Sequence, residues 1–350
     1  MHGLGPRPPW GPVSRNGIIP APDTLRHRPP VAEPPLLEPM NLLLASLLLG
    51  TASTLPAPVA PVDPVAKGAA AAPTAEARRS ETNVKQRFEE LDGAGDHAGV
   101  VKLWRENPYQ VLYVIDSYLE GSLKRIETEE QVDQDQIRHM LERAIRGARA
   151  ADEAFGGFMF SDYATAFAGW SPDEQFRFRE GQKAYKNAQQ SLRSADFEKA
   201  LQYAKDSLQI AQPLGDWWGM AMALGVLGDA HEALGHYEAA LDAHSRARVV
   251  NSSLHLLSSE YRNLHSISRC LSRLGRTLRA ELVIARALEC SVLLEDEAGR
   301  VDLLETRLKV EEDSGHHERA EATRKEIAEL REHAGAPSAR PLEGSGAQGS

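Results

Sequence analysis

Gly235-His236-Tyr237-Glu238-Ala239-Ala240 decides the fold, because the same six-residue pattern returns at a fixed distance on either side. Ala195-Asp196-Phe197-Glu198-Lys199-Ala200 stands 40 residues before it, and Gly275-Arg276-Thr277-Leu278-Arg279-Ala280 stands 40 after it. Gly315-His316-His317-Glu318-Arg319-Ala320 follows at the same interval, so Ala200, Ala240, Ala280 and Ala320 are spaced by 40 throughout. Equal spacing without insertions predicts stacked copies of one supersecondary unit. Before Gly235, the residues Leu224, Leu227, Gly228 and His231 recur at helical intervals. After it, Tyr237, Ala240, Leu241, His244 and Ala247 do the same. Gly235, Gly275 and Gly315 supply left-handed turns between antiparallel helices, and the small Gly228 and Ala240 let the two helices approach closely.

Leu224-x2-Leu227-Gly228-x2-His231, followed by Tyr237 and Ala240-x3-His244, resembles the tetratricopeptide repeat signature. Leu224 stands where that family has Trp, and His231 and His244 stand where it has aromatic residues. A period of 40 residues exceeds the family's usual period of about 34, which is similar to a longer-repeat subclass. The resemblance implies an all-α fold: a right-handed α-solenoid of antiparallel helix pairs, four repeats over residues 176–332, preceded by an irregular helical region over 81–175. It implies that the first helix of each pair lines a concave groove.

Outward from the array the chain changes character. Of 21 prolines, 16 lie before Ser80, a density that excludes helix or central strand over most of that stretch. Residues 1–39 read as a disordered or mis-assigned upstream segment. Residues 40–52, from Met40 through an apolar Leu-rich run to the small residues Thr51 and Ala52, have the order of a signal peptide. That predicts export to a periplasm or secretion, with the cytoplasm as the alternative, since no Lys or Arg lies between Met40 and the apolar run. The run is about half of the ~20 residues that cross a bilayer, so no stable membrane span is expected. Residues 53–80 read as a Pro/Ala-rich linker and 333–350 as a disordered tail. Between them, Phe88, Leu91, Gly95, Val100, Leu103 and Trp104 look like half of one divergent repeat. Ser171-Pro172-Asp173-Glu174 reads as a capped helix start.

A formal net charge of −10 argues against general nucleic-acid binding. Cys270 and Cys290 fall on helices that fold back about Gly275. This places them about 13 Å apart at 1.5 Å per residue, too far for a disulfide. His231, His236 and His244 lack the three- or four-residue spacing of helix-borne ligands, and no metal site or cofactor is expected. The acids Glu129, Glu130, Asp133 and Asp135 lie at a helix start, where the dipole favours them. No phosphate-binding loop, nucleophile elbow or zinc-protease motif occurs, so the chain reads as non-enzymatic.

The candidate binding residues lie on the first helices of the repeats. Arg262, His265, Arg269 and Arg273 recur at intervals that place them on one face, a basic ridge suited to an acidic segment of a partner. Tyr185 and Gln189 continue that face in the first repeat, and Met222 and Asp229 in the second. The next unit's Asp302, Glu305, Glu312 and Asp313 are the rival partners of the ridge, by internal ion pairing. The expected function is a scaffold or adaptor holding a protein or peptide in its groove. The alternative is a regulatory receptor that senses a small ligand or peptide through the irregular helical region. Oligomeric state is left open by the sequence.

Overall fold

The computed structural model describes residues 75–335, with side chains from 83 to 332. The upstream segment 1–39, the signal-like segment 40–52, most of the linker and most of the tail lie outside the described residues. Thirteen helices and no strand are present among the described residues. The first five are α1 (Ala75–Gly93), α2 (His97–Glu106), α3 (Val111–Thr128), α4 (Gln134–Phe155) and α5 (Met159–Ala168). Eight more follow: α6 (Pro172–Arg193), α7 (Phe197–Leu214), α8 (Trp217–Ala233), α9 (Tyr237–Ser253), α10 (Leu257–Arg273), α11 (Thr277–Leu293), α12 (Glu297–Asp313) and α13 (His317–Gly335). Helix α1 thus starts inside the stretch expected to be linker, and α13 runs three residues past the expected end of the array.

From α6 onward each helix packs on the next, and α6, α8, α10 and α12 also touch one another in series. This is an all-α solenoid, with those four helices forming one layer. The helices from α8 to α12 are 17 residues each and begin 20 residues apart, at Trp217, Tyr237, Leu257, Thr277 and Glu297. The connector explains the register. A left-handed residue ends a helix at Ala195, Gly215, Gly235, His255, Gly275, Glu295 and Gly315, again every 20 residues. Each makes the paired bonds of a Schellman turn. At the third, Gly235 N–H donates to the Glu232 carbonyl and His236 N–H to the His231 carbonyl, both at 2.9 Å. The residue after the left-handed one starts the next helix, and Asp196, Asp216 and Asp296 cap it by accepting from the N–H of Lys199, Gly219 and Gly299.

Small residues sit where the helices cross. Ala200, Ala240, Ala280 and Ala320 are at most 1% exposed. A Cβ on Gly228 would lie 2.6 Å from the His244 ring, so that ring packs flat on α8 only because position 228 has no side chain. Leu224 is buried and Leu227 half-buried, and Cys270 and Cys290 are buried free thiols. Burial pushes the Cys270 thiol up to about 12, which makes it inert at neutral pH.

Helices α1 to α5 build a hydrophobic layer around Phe88, Trp104, Ile115, Leu119 and Tyr163, and the same cluster takes in Phe178, Leu214, Ala221, Leu254 and Leu256 of the array. Trp170 Nε1–H donates to the Leu214 carbonyl at 2.9 Å. The His255 ring lies 3.9 Å from that of Phe155. The irregular block therefore docks against the turns that join the first repeats. No helix among the described residues is long and apolar enough to cross a membrane.

Candidate functional site

Helices α6, α8 and α10 bring the sequence-selected residues onto one face. Gln189 Nε2–H donates to the Tyr185 hydroxyl at 2.5 Å. Burial raises the Tyr185 hydroxyl above its ordinary value, with Arg262 opposing and Asp229 adding to the shift, so those three groups face one another across the layer. Arg269 holds Glu232 through two parallel bonds, Nε to Oε1 at 2.7 Å and Nη2 to Oε2 at 2.8 Å. Burial and then the Arg269 cation push the His265 imidazole down to about 4, so it carries no charge at neutral pH.

The expected ridge is thereby revised. His265 is neutral and Arg269 is engaged internally, which leaves Arg262 and Arg273 exposed and outside any ion pair among the described residues. The neutralising partner also differs from expectation. Glu305 pairs with Arg331, and Glu312 pairs with Arg324 at 2.5 Å, whereas Arg269 turns back to the preceding helix. Asp302, one of the rival acids, feels the Arg269 charge.

Behind this face, His244 on α9 is 1% exposed, with Nδ1 3.3 Å from the Asn263 side-chain oxygen. Its Nε2 makes no hydrogen bond among the described residues and lies 3.6 Å from Asp229 Oδ1. Asp229, Glu232 and His244 have ligand atoms within 4.8 Å of one another, a grouping hidden in sequence because it spans two helices. Both Glu232 oxygens already accept from Arg269, so the cation serving this cluster is the protein's own guanidinium.

At the head of the same face the structure holds a cavity of about 210 Å³ between α3, α5, α6, α7 and α8. Met222 and Tyr185, two of the residues expected from sequence to line a groove, line this cavity. Asp116, Glu120 and Asp216 bring three carboxyl groups to its wall. Tyr163 Oη–H donates to Asp116 Oδ1 at 2.6 Å, and the Gly219 N–H donates to Asp216 Oδ1 at 2.8 Å. Burial pushes the Asp116 carboxyl up to about 7, outweighing the Tyr163 bond, and the charges of Glu120 and Asp216 add to it. Burial likewise raises Asp216 to about 6. Glu120 is compensated by Arg179 at 2.9 Å and by the Gln182 amide at 2.7 Å. Phe178, Ile210, Leu214 and Trp218 supply apolar wall. Ser207, the serine in the lining, donates to the Gly181 carbonyl at 3.0 Å and is not poised as a nucleophile.

Sequence reasoning passed over Asp116, Glu120, Tyr163 and Asp216. Asp216 is the cap of α8. The available signal was the pair Asp116 and Glu120, one turn apart beside the buried row Leu112, Ile115 and Leu119.

No protein-family model and no curated protein matches the sequence. Among solved structures, the chain is similar to the crystal structure of BtubC (BKLC) from P. vanneervenii at 14% sequence identity. That likeness covers 78% of this chain and 98% of that one, with a TM-score of 0.40.

Proposed function

We propose that this chain is a tetratricopeptide-type scaffold without catalytic activity, exported from the cytoplasm, which holds a protein or peptide segment along the face formed by α6, α8 and α10. One observation carries the reading. Arg262 and Arg273 stand exposed on that face, while Tyr185, Gln189, Asp229, Glu232 and Arg269 around them are fixed by mutual bonds or charges. Rigid polar groups lose little entropy when a segment is laid on them, and two unengaged guanidiniums favour an acidic segment. Support for export is the signal-like order of residues 40–52.

The test is pull-down from an envelope fraction with full-length protein and with Arg262→Glu/Arg273→Glu. Loss of the recovered partner, with unchanged circular dichroism and thermal midpoint, supports the groove; undiminished recovery overturns it. The cavity favours a second reading, a receptor in which a small ligand binds between the irregular block and the first two repeats.

A further inference from the structure

Two carboxyl groups on the wall of the cavity, those of Asp116 and Asp216, have no ion pair among the described residues. We propose that the cavity is a binding site for a protonated amine, delivered either as a free small molecule or as a lysine side chain of a partner. The proposal rests on the small-ligand reading of the cavity and is independent of the groove.

Among the described residues, three carboxyl groups line the cavity and no Lys, Arg or His does. Glu120 is satisfied from outside by Arg179. The other two are not. Asp216 is 6% exposed and uses Oδ1 alone to cap α8; its Oδ2 accepts no hydrogen bond among the described residues. Asp116 uses Oδ1 for Tyr163, and its Oδ2 is likewise unengaged. Asp216 is buried and Asp116 half-buried, and Arg179, whose charge reaches Asp116, forms its ion pair with Glu120 and not with either of them. A carboxylate so placed is costly to ionise, so an occupant that supplies N–H donors and a positive charge gains more here than at the surface.

The remaining wall says what kind of cation. Phe178, Tyr163 and Trp218 offer aromatic surface, and Ile210 and Leu214 aliphatic surface. A hydrated divalent ion needs about six oxygen ligands and has no use for such walls. An alkylammonium uses both, placing its methylenes on the apolar wall and its ammonium at the carboxylates, with aromatic rings adding cation–π attraction. The volume of about 210 Å³ is many times the roughly 10–15 Å³ that a single water needs on the same measure. A pentylammonium ion or the side chain of lysine fits within that.

The experiment uses calorimetry and thermal shift on the full chain at pH 8, with n-pentylammonium, 1-pentanol and pentanoate as probes of one size and three charges. Expected is binding and stabilisation by the amine alone. In Asp116→Asn, and in Asp116→Asn/Asp216→Asn, amine affinity falls by about tenfold or more while the fold persists, because asparagine also caps helices. Equal binding of amine and alcohol, or amine binding unchanged in both variants, overturns the amine assignment but leaves the cavity reading standing. Absence of binding by all three probes overturns both. A heptapeptide with a central lysine and its ε-acetylated copy form the last arm. Tighter binding of the lysine peptide than of pentylammonium assigns the amine to a partner protein, and weaker binding assigns it to a free ligand; equal binding of the two peptide forms counts against the proposal.

Discussion

Arg269 on α10 clasps Glu232 on α8 through two hydrogen bonds of 2.7 and 2.8 Å, linking the second repeat to the third across the inner layer. The Glu232 side chain is 14% exposed and that of Arg269 34%. Removing one partner strands a largely desolvated charge, whereas removing both replaces it with apolar contact. Arg269→Met is expected to cost about 2 kcal/mol in urea unfolding, and Arg269→Met/Glu232→Met to recover at least half of that loss. Additive losses in this cycle would show that the pair carries no coupling.

Three of the seven left-handed connector residues in the array are not glycine, and they are not equivalent. Glu295 has φ of 53° and is exposed, and its side chain makes no hydrogen bond among the described residues to offset the strain. A left-handed non-glycine residue costs about 1–2 kcal/mol, so Glu295→Gly should raise the thermal midpoint by roughly 2–4 °C. His255 has the same φ of 53° but stacks on Phe155 at 3.9 Å. His255→Gly relieves strain and loses that ring, so its midpoint should not rise.

These connectors also show why only part of the fold was legible. The 40-residue repeat declares itself through Ala200, Ala240, Ala280 and Ala320, because each helix crossing tolerates only a small residue. The 20-residue half-period does not, since Ala195, His255 and Glu295 adopt the glycine conformation without being glycine. The groove residues share a face as helical spacing requires. Their pairing was not readable, because whether Arg269 meets Glu232 behind it or Asp302 ahead depends on the stagger between neighbouring repeats. The cavity was least visible of all. Asp116, Tyr163 and Asp216 lie on three helices whose convergence is a tertiary fact, and no periodicity within any one helix encodes it.

Gly228 and His244 form a lock that substitution can test from either side. The Cβ of Gly228→Ala would sit 2.6 to 2.7 Å from three atoms of a ring that is 1% exposed, so α8 and α9 must separate. Overpacking of this kind costs about 1–3 kcal/mol. Gly228→Ala/His244→Ala should be less destabilised than the sum of the two single variants, because each relieves the clash or the void left by the other. A strictly additive double variant would place the strain elsewhere.

The buried acids predict an inverted pH dependence at the cavity. An unfolded aspartate titrates near about 3.9, whereas burial holds Asp116 at about 7 and Asp216 at about 6. Between those values the folded chain binds more protons than the unfolded one, so these groups favour the fold below about pH 4 and that contribution is lost as pH rises to about 7. The facing groups keep the sign: Glu120 on α3 adds negative charge, Arg179 on α6 opposes it, and Tyr163 on α5 stays protonated because burial raises its hydroxyl well above the ordinary value. Asp116→Asn keeps an acceptor for Tyr163 and removes the titration. It should therefore stabilise the protein at pH 8 by on the order of 2 kcal/mol, less than complete desolvation would give because Asp116 is only half-buried, and change little at pH 4. Urea unfolding at the two pH values measures the difference. Parallel losses of stability with pH in the two proteins would mean that Asp116 is ionised and hydrated in the native state, and the cavity open to bulk water.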